Sequence, residues 1–431
     1  MKKKISFLAV GSRGDLNPSC VLGKELQKRG YEVLIATHTN FQSYVEQKGL
    51  NFAPISGNYK DILSSEVGIS LLEGKGKLRV VEDRLFFQQL QDAYQAIQNS
   101  DAIVVFPLSL WGYHIAEKLN IPCICSCYVP LTPTKDFPIF GFGNKKSSSI
   151  LSSLNYFSYI LVEFLSWQAD RKEINRFRQQ ILNLPPISFL GSRYRRNAPA
   201  NFNLKKIPIL YQYSSYVIPR PSDWNQKNIY ITGNWFSAEE ESYQPDSELS
   251  NFLSNGGKPI YIGFGSMVMR NPKQIAAILI EAVNTTKQKA IISSGWSKLA
   301  EFISPKHPNI LVISKYVPFN WLFSQVKLLI HHGGSGTTAL GLKAGIPQIL
   351  IPFFADQPAW ANKLVSLGVS PKPIPFSNLS SQKLIEAIKR TSDEPQMYQK
   401  AQQLSKKVKS EDGTVEAAKL VEQLIREWSE N

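Results

Sequence analysis

Residues 328–362 read LLIHHGGSGTTALGLKAGIPQILIPFFADQPAWAN, and no other stretch limits the fold so strongly. A short apolar run enters a glycine-rich turn, the turn opens a helix, and a second apolar run follows. That is one β-α-β unit, in which the crossover helix makes the two strands run parallel. Gly333-Gly334-Ser335-Gly336-Thr337-Thr338 leaves backbone amides at the helix start unscreened, with hydroxyls beside them, which suits a phosphate. After the next strand comes Pro352-Phe353-Phe354-Ala355-Asp356-Gln357. A carboxylate does not belong beside phosphate, but an acid–amide pair suits the hydroxyls of a sugar. Phosphate and sugar on adjacent loops point to a nucleotide-sugar.

The same rhythm recurs along the chain. Residues 4–10 read as a first strand, followed by a helix with Asn17 as N-cap, Pro18 in the first turn and Gly30 at the close. Further strands are expected at 31–37, 102–106 and 121–128. A second series begins at 259–266 and continues at 290–293, 310–313, 328–331 and 348–351, with the Pro-, Ser-, Asn- and Asp-rich 215–258 as linker. At 431 residues and 43% hydrophobic content there is material for two cores. The expected fold class is α/β: two Rossmann-like, doubly wound domains facing across a cleft. The expected boundaries are 1–225, 226–412, and a terminal helical piece, 413–431, packing back on the first domain. The helical pattern leading there spans about 395–428.

Composition removes several alternatives. Lys2-Lys3-Lys4 followed by six apolar residues is too short for a signal peptide and reads as a strand. No run of 18 apolar residues suggests a membrane-spanning helix. Cys123, Cys125 and Cys127 alternate along one strand, a spacing unlike a zinc site, and with Cys20 they suit reduced thiols in the cytoplasm. The net charge of +15 is uneven: residues 1–220 hold 27 Lys and Arg against 16 Asp and Glu, the remainder 22 against 18. That excess is diffuse and accompanied by no nucleic-acid-binding module, so no nucleic acid is expected.

Three segments together carry a resemblance: the 331–362 motif, Gly11-Ser12-Arg13-Gly14-Asp15, and Thr232-Gly233-Asn234-Trp235. They resemble the family 1 glycosyltransferases of GT-B fold, and most of all the branch of sterol glucosyltransferases and antibiotic glycosyltransferases. The likeness spans the chain and is weakest between about 137 and 215, where such enzymes differ in acceptor. It implies an inverting transfer of a hexose, with glucose expected, from a UDP-sugar to a hydroxyl of a lipophilic acceptor such as a sterol, hopanoid, carotenoid or polyketide.

In the resemblance, His332 contacts the donor diphosphate, while His331 reads as structural. Gly334, Ser335, Gly336 and Thr337 offer amides and hydroxyls to the phosphates. Asp356 and Gln357 take the hexose hydroxyls, a Gln there suiting glucose in part of the family; the same pair also reads as a helix start, with Pro358 in the first turn. Gly265 and Ser266 lie against the donor, and Ser294, Trp296, Tyr316 and Val317 line the edge that holds uracil, either ring serving as stacking partner or as packing. Asp15 is the expected catalytic base on the acceptor hydroxyl, or else a helix cap. Ser12, Arg13 and Gly14 either approach the diphosphate or structure their loop, and His38 reads as structural.

None of the 12 aspartates has another two positions away. Without that pair, the leaving diphosphate must be neutralised by the helix terminus and His332, so no metal and no cofactor beyond the UDP-sugar is expected. Residues 150–180 combine Ile160, Leu161, Phe164, Leu165 and Trp167 with Arg171, Lys172, Arg176 and Arg178. They read as a peripheral contact with an anionic membrane on its cytoplasmic face, as an acceptor pocket, or as buried helix, and Arg193, Arg195 and Arg196 add charge nearby. Two other functions stay open: a nucleotide-sugar epimerase of the same two-domain fold, which would convert donor without acceptor, and a non-catalytic, membrane-associated UDP-sugar-binding protein.

Overall fold

The structure, a computed structural model, describes residues 2–75, 81–142, 149–191, 206–225, 227–237 and 243–430. In chain order the first half gives β1 (Lys4–Leu8), α1 (Arg13–Lys28), β2 (Glu32–His38), α2 (Gln42–Gln47), β3 (Asn51–Ile55), α3 (Tyr59–Ser64) and α4 (Glu66–Leu72). It continues with α5 (Asp83–Ile97), β4 (Ala102–Val105), α6 (Tyr113–Leu119), β5 (Cys123–Cys127), α7 (Ser149–Gln180), β6 (Ile209–Tyr211) and β7 (Ile229–Ile231). The second half gives α8 (Ser247–Ser254), β8 (Ile260–Gly263), α9 (Pro272–Thr285), β9 (Ala290–Ser293), β10 (Ile310–Ile313), α10 (Phe319–Gln325) and β11 (Leu328–His331). It ends with α11 (Ser335–Ala344), β12 (Gln348–Leu350), α12 (Gln357–Ser366), α13 (Ser381–Ser392), α14 (Pro395–Lys409) and α15 (Gly413–Glu430).

Two compact units result: residues 1–62, 77–236 and 411–431 form one, and 63–76 with 237–410 the other. The first holds a parallel sheet in the order β3-β2-β1-β4-β5-β6-β7, the second a parallel sheet in the order β10-β9-β8-β11-β12. Both are doubly wound and reverse direction beside their first strand. In such sheets the crevice at the carboxyl ends of the strands, at that switch, receives ligands. Strands such as AIVV in β4 and IYIG in β8 are buried throughout, as parallel strands covered on both faces are.

In the first unit, Phe7, Ile35, Val104 and Ile124 meet Leu22 and Leu26 of α1, and Ala417, Ala418, Val421 and Ile425 of α15 join the same core. In the second, Tyr261, Ile291, Leu311 and Leu329 pack on Leu322 and Phe323 of α10. The four cysteines are free and buried, and Cys125 and Cys127 lie 3.5 Å apart through sulfur.

Local structure corrects several expectations. α1 begins a turn earlier than Asn17: Ser12 is its N-cap and Pro18 lies inside the helix. Asn17 instead accepts a hydrogen bond from the Tyr44 hydroxyl at 2.7 Å. The supposed linker contains β7, which pairs with β6, and α8, capped by Asp246. The last helical pattern is two helices, α14 and α15, broken at residues 410–412. Arg178 does not face a membrane: it is fully buried, 2.8 Å from Glu117 Oε2, and also bonds His114 Nδ1 and the Pro185 carbonyl. The segment 150–180 is one helix whose second half turns Ile174 and Phe177 into the core, while its first half is largely exposed. Arg193, Arg195 and Arg196 lie outside the described residues.

Candidate active site

In the second unit the expected donor residues lie on the loops leaving the carboxyl ends of the parallel strands. β8 leads to Gly265 and Ser266, β9 to Ser294 and Trp296, β10 to Tyr316 and Val317, β11 to His332 and Gly334, and β12 to Asp356 and Gln357. The switch lies between β8 and β11, which pair from Leu328 opposite Ile260 to His331 opposite Gly263.

His332 sits at that switch. A Cβ on Gly334 would stand 2.5 Å from its Nε2, and one on Gly265 3.0 Å from its Cε1, so both glycines are needed to seat the ring. Gly265 also has φ +56°, a left-handed conformation that glycine adopts without strain. The ring is about nine-tenths buried, and its Nδ1 has no hydrogen bond of good geometry. Burial first, and His331 second, push its pKa down to about 3, so the free imidazole is neutral. His331 is wholly buried and structural: Nδ1 accepts from the Gly333 amide at 3.1 Å and Nε2 faces Gln348 Oε1 at 2.8 Å. These contacts set the Nε2–H tautomer of His331, and burial pushes its pKa down to about 4.

α11 starts at Ser335 with Gly334 as N-cap and no side-chain cap. Its first amides, from Ser335, Gly336 and Thr337, therefore have no partner within the helix, and the positive end of the helix dipole is open. Ser335, Gly336 and Thr337 keep solvent exposure, whereas Thr338 is buried. Imidazole, amides and hydroxyls together can hold an anion.

Asp356 and Gln357 are placed by their own helix. Asp356 precedes α12 and accepts from Trp360 Nε1 at 3.0 Å, one helical turn on. The residue keeps part of its surface, yet its carboxyl is desolvated enough to raise its pKa to about 6. Gln357 is buried: its Oε1 accepts from the Phe353 amide at 2.8 Å and its Nε2 faces Met267 Sδ at 3.4 Å. Its carbonyl thus fixes the loop, and its amide N–H groups, facing only a weak sulfur acceptor, are what it has to offer a ligand. Ala355 between them is held at φ +55°, an uncommon conformation for a non-glycine residue. Trp360, Met267 and Gln348 were not singled out from sequence. The four-residue spacing of Asp356 and Trp360 on one helix was the available signal.

The remaining loops meet at the same edge. The Trp296 amide donates to the Gly265 carbonyl at 3.0 Å, and a Cβ on Gly295 would clash with that carbonyl. Trp296 is half-buried and Tyr316 is 45% exposed, while the Val317 side chain is taken up by the core.

In the first unit, Asp15 lies in the first turn of α1, the helix that follows β1, at the switch between β1 and β4. It is 4% exposed. Its Oδ2 accepts from the Ser12 amide at 3.0 Å and the Ser12 hydroxyl at 3.3 Å, while Ser12 Oγ accepts from the Gly14 amide at 3.1 Å. Asp15 therefore does cap its helix, in a capping box. A Cβ on Gly11 would stand 2.5 Å from Asp15 Oδ2. The Arg13 guanidinium lies 4.5 Å from the centroid of the Tyr44 ring, which ties the loop to α2. His38 is buried, its Nδ1 3.4 Å from the Ile55 carbonyl and its ring stacked with Tyr59. Burial and the Asp15 charge both raise the pKa of the Tyr59 phenol. Among the described residues no group of three or more His, Cys, Asp and Glu could hold a metal ion.

Two parallel doubly wound domains, one with an open helix terminus beside the loop that bears Asp356 and Gln357, make up the architecture of a glycosyltransferase of GT-B fold. Residues 5–138 match the glycosyltransferase family 28 N-terminal domain, and 297–424 the erythromycin biosynthesis protein CIII-like C-terminal domain. Solved structures share the fold across nearly the whole chain. The glycosyltransferase of kitacinnamycin gives a TM-score of 0.69 at 19% identity, covering 99% of this chain and 100% of that one. The calicheamicin glycosyltransferase gives 0.65 at 16% identity, covering 99% of each chain. A spinosyn rhamnosyltransferase complexed with thymidine diphosphate gives 0.59 at 18% identity, covering 98% of this chain and 100% of that one.

Sequence relatives narrow the assignment. A sterol 3-beta-glucosyltransferase of Arabidopsis thaliana is 32% identical over 425 residues, covering 96% of this chain and 67% of its own length. One of Komagataella phaffii is 34% identical over 433 residues, covering 97% of this chain and 34% of its own. The chain belongs to the sterol 3-beta-glucosyltransferase family of glycosyltransferases. It spans about two thirds of that plant relative and about one third of the yeast one.

Proposed function

We propose that this chain transfers a hexose, glucose in the first instance, from a UDP-sugar to a hydroxyl of a lipophilic acceptor, with inversion and without a metal. The observation that carries the donor half is the uncapped start of α11 with the buried His332 beside it. Amides and a neutral imidazole can donate to a diphosphate and stabilise the charge that grows on it as the glycosidic bond breaks. Asp356, with Gln357 Nε2, orients the hexose hydroxyls. Gly265, Ser266, Ser294, Trp296, Tyr316 and the Val317 backbone receive the nucleotide, Trp296 and Tyr316 being the rings with exposed surface.

Asp15 takes the proton from the acceptor hydroxyl, as general base, while Ser12 and Gly14 keep its loop closed. Its bond to Ser12 anchors one carboxylate oxygen, which fixes the orientation of the group. A carboxylate is a weak base for an alcohol, so proton transfer follows bond breaking in an oxocarbenium-like transition state. An equatorial linkage results from an axial UDP-hexose when attack comes from the face opposite the diphosphate. Support for a lipophilic acceptor is the sterol named for the relatives.

The test is incubation with labelled UDP-glucose, excess EDTA and a total lipid extract, beside Asp15→Asn. Label should enter the organic phase in the presence of EDTA and only with intact Asp15. Label that appears only when magnesium is restored would contradict the metal-free donor site, and an unlabelled organic phase would contradict a glucosylated lipid.

A further inference from the structure

Beside Asp15 the first unit exposes an aliphatic side chain that its own core does not claim. A Cβ placed on Gly11 would stand 2.5 Å from Asp15 Oδ2 and 2.9 Å from Leu108 Cδ1, so a carboxylate and a methyl group flank one point. Asp15 is 4% exposed, whereas Leu108 is 44% exposed. A leucine on a surface is ordinary by itself. This one is held rigidly against the group that is to take a proton.

Its mount is Pro107–Gly112, a 3-10 helical turn at the carboxyl end of β4. The buried Ser109 hydroxyl donates to the Leu8 carbonyl at 2.5 Å and accepts from the Phe106 amide at 3.0 Å. The turn is thereby tied to the end of β1, the strand that leads to Asp15. Trp111 Nε1 donates to the Leu108 carbonyl itself at 3.1 Å, and the Trp111 ring meets Phe86 of α5 edge to face. Gly112 admits no side chain, since a Cβ there would lie 2.9 Å from both Leu8 Cδ2 and Val105 Cγ1. The backbone of Leu108 is thus fixed from three sides, while its side chain keeps nearly half of its surface.

An alcohol that gives its proton to Asp15 lies about 2.7 Å from a carboxylate oxygen. The carbon that bears this hydroxyl, and the carbons on either side, then come within contact range of the Leu108 methyl groups. CH2 groups in that place leave water favourably against leucine. Hydroxyls there would be pressed on methyl groups without a partner, which costs free energy. We propose that Leu108 is a specificity-determining residue for the acceptor. It selects a lipid alcohol whose hydroxyl stands between unsubstituted hydrocarbon carbons, over one whose hydroxyl has other hydroxyls beside it. The proposal rests on hexosyl transfer with Asp15 as the base, and adds which lipophilic alcohols enter.

The experiment is acceptor kinetics at saturating UDP-glucose for wild type, Leu108→Ala and Leu108→Met. One acceptor is cholesterol in non-ionic detergent, whose hydroxyl is flanked by CH2 groups; the other is octyl glucoside, whose ring hydroxyls stand beside one another. Wild type should favour cholesterol. Leu108→Ala should raise KM for cholesterol at least about tenfold, the order expected when aliphatic carbon is lost from a hydrophobic contact. Its preference for cholesterol over octyl glucoside should fall by a similar factor, with kcat, UDP-glucose affinity and thermal midpoint kept. Leu108→Met, similar in volume, should restore most of the KM. An unchanged KM in Leu108→Ala, or a wild type that favours octyl glucoside, would overturn the proposal while leaving the transfer reading intact. A loss in kcat alone, or a Met variant as poor as the Ala variant, would make Leu108 a support for the turn and would also overturn it. Wild type that transfers glucose to neither acceptor nor to any lipid would overturn the transfer reading and this proposal with it.

Discussion

At Asp356 stability and function pull against each other. Its carboxyl has a folded pKa near 6, above the ordinary carboxylate value, because burial disfavours the charge. The folded state then holds more protons than the unfolded state between about pH 4 and 6, so stability falls as pH rises through that window and stays lower above it. Asp356→Asn, which keeps an acceptor for Trp360 Nε1, should therefore stabilise the protein at pH 7 by about 1–3 kcal/mol in urea unfolding. The same substitution should weaken UDP-glucose. In wild type, affinity for UDP-glucose should decline as pH drops through about 6, while the Asn variant shows no such step. UDP-glucose is the ligand to use, since the terminal phosphate of UDP itself ionises near pH 6. A flat wild-type profile would remove Asp356 from the donor site.

At the scale of elements, the buried pair between α6 and α7 is a sharp stability test. Glu117→Ala would leave the Arg178 guanidinium buried beside His114 with no counter-charge, which should cost about 3–5 kcal/mol. Urea denaturation reads this directly, and a loss under about 1 kcal/mol would mean that water reaches the pair. The elements also differ in how far the sequence disclosed them. β9, β10 and β11 were legible to the residue because buried parallel strands are continuous apolar runs between turn residues. β6 and β7, three residues each, carry no periodicity to read: β6 was not anticipated, and β7 was absorbed into a supposed linker. The start of α1 was misread because a proline usually marks a first turn, whereas Pro18 sits within the helix and Ser12 with Asp15 caps it. The glycine turn before α11 was legible since its chemistry is backbone chemistry. Trp360, Met267 and the commitment of Gln357 Oε1 were not, because they depend on how loops from different strands meet.

For the whole molecule, both units are assembled from separate stretches of chain: α15 closes the core of the first after the chain has left it for the second. The proposed labour is divided in the same way, with the base in the first unit and the donor site in the second. The most direct measurement therefore follows UDP-glucose affinity and turnover together in Asp15→Asn and His332→Ala. Asp15→Asn should lower turnover at least about 100-fold while affinity changes by no more than about twofold. His332→Ala should weaken affinity by about 10- to 100-fold, as loss of a hydrogen bond to a charged group does. Near-normal turnover in Asp15→Asn, or unchanged affinity in His332→Ala, would contradict the account.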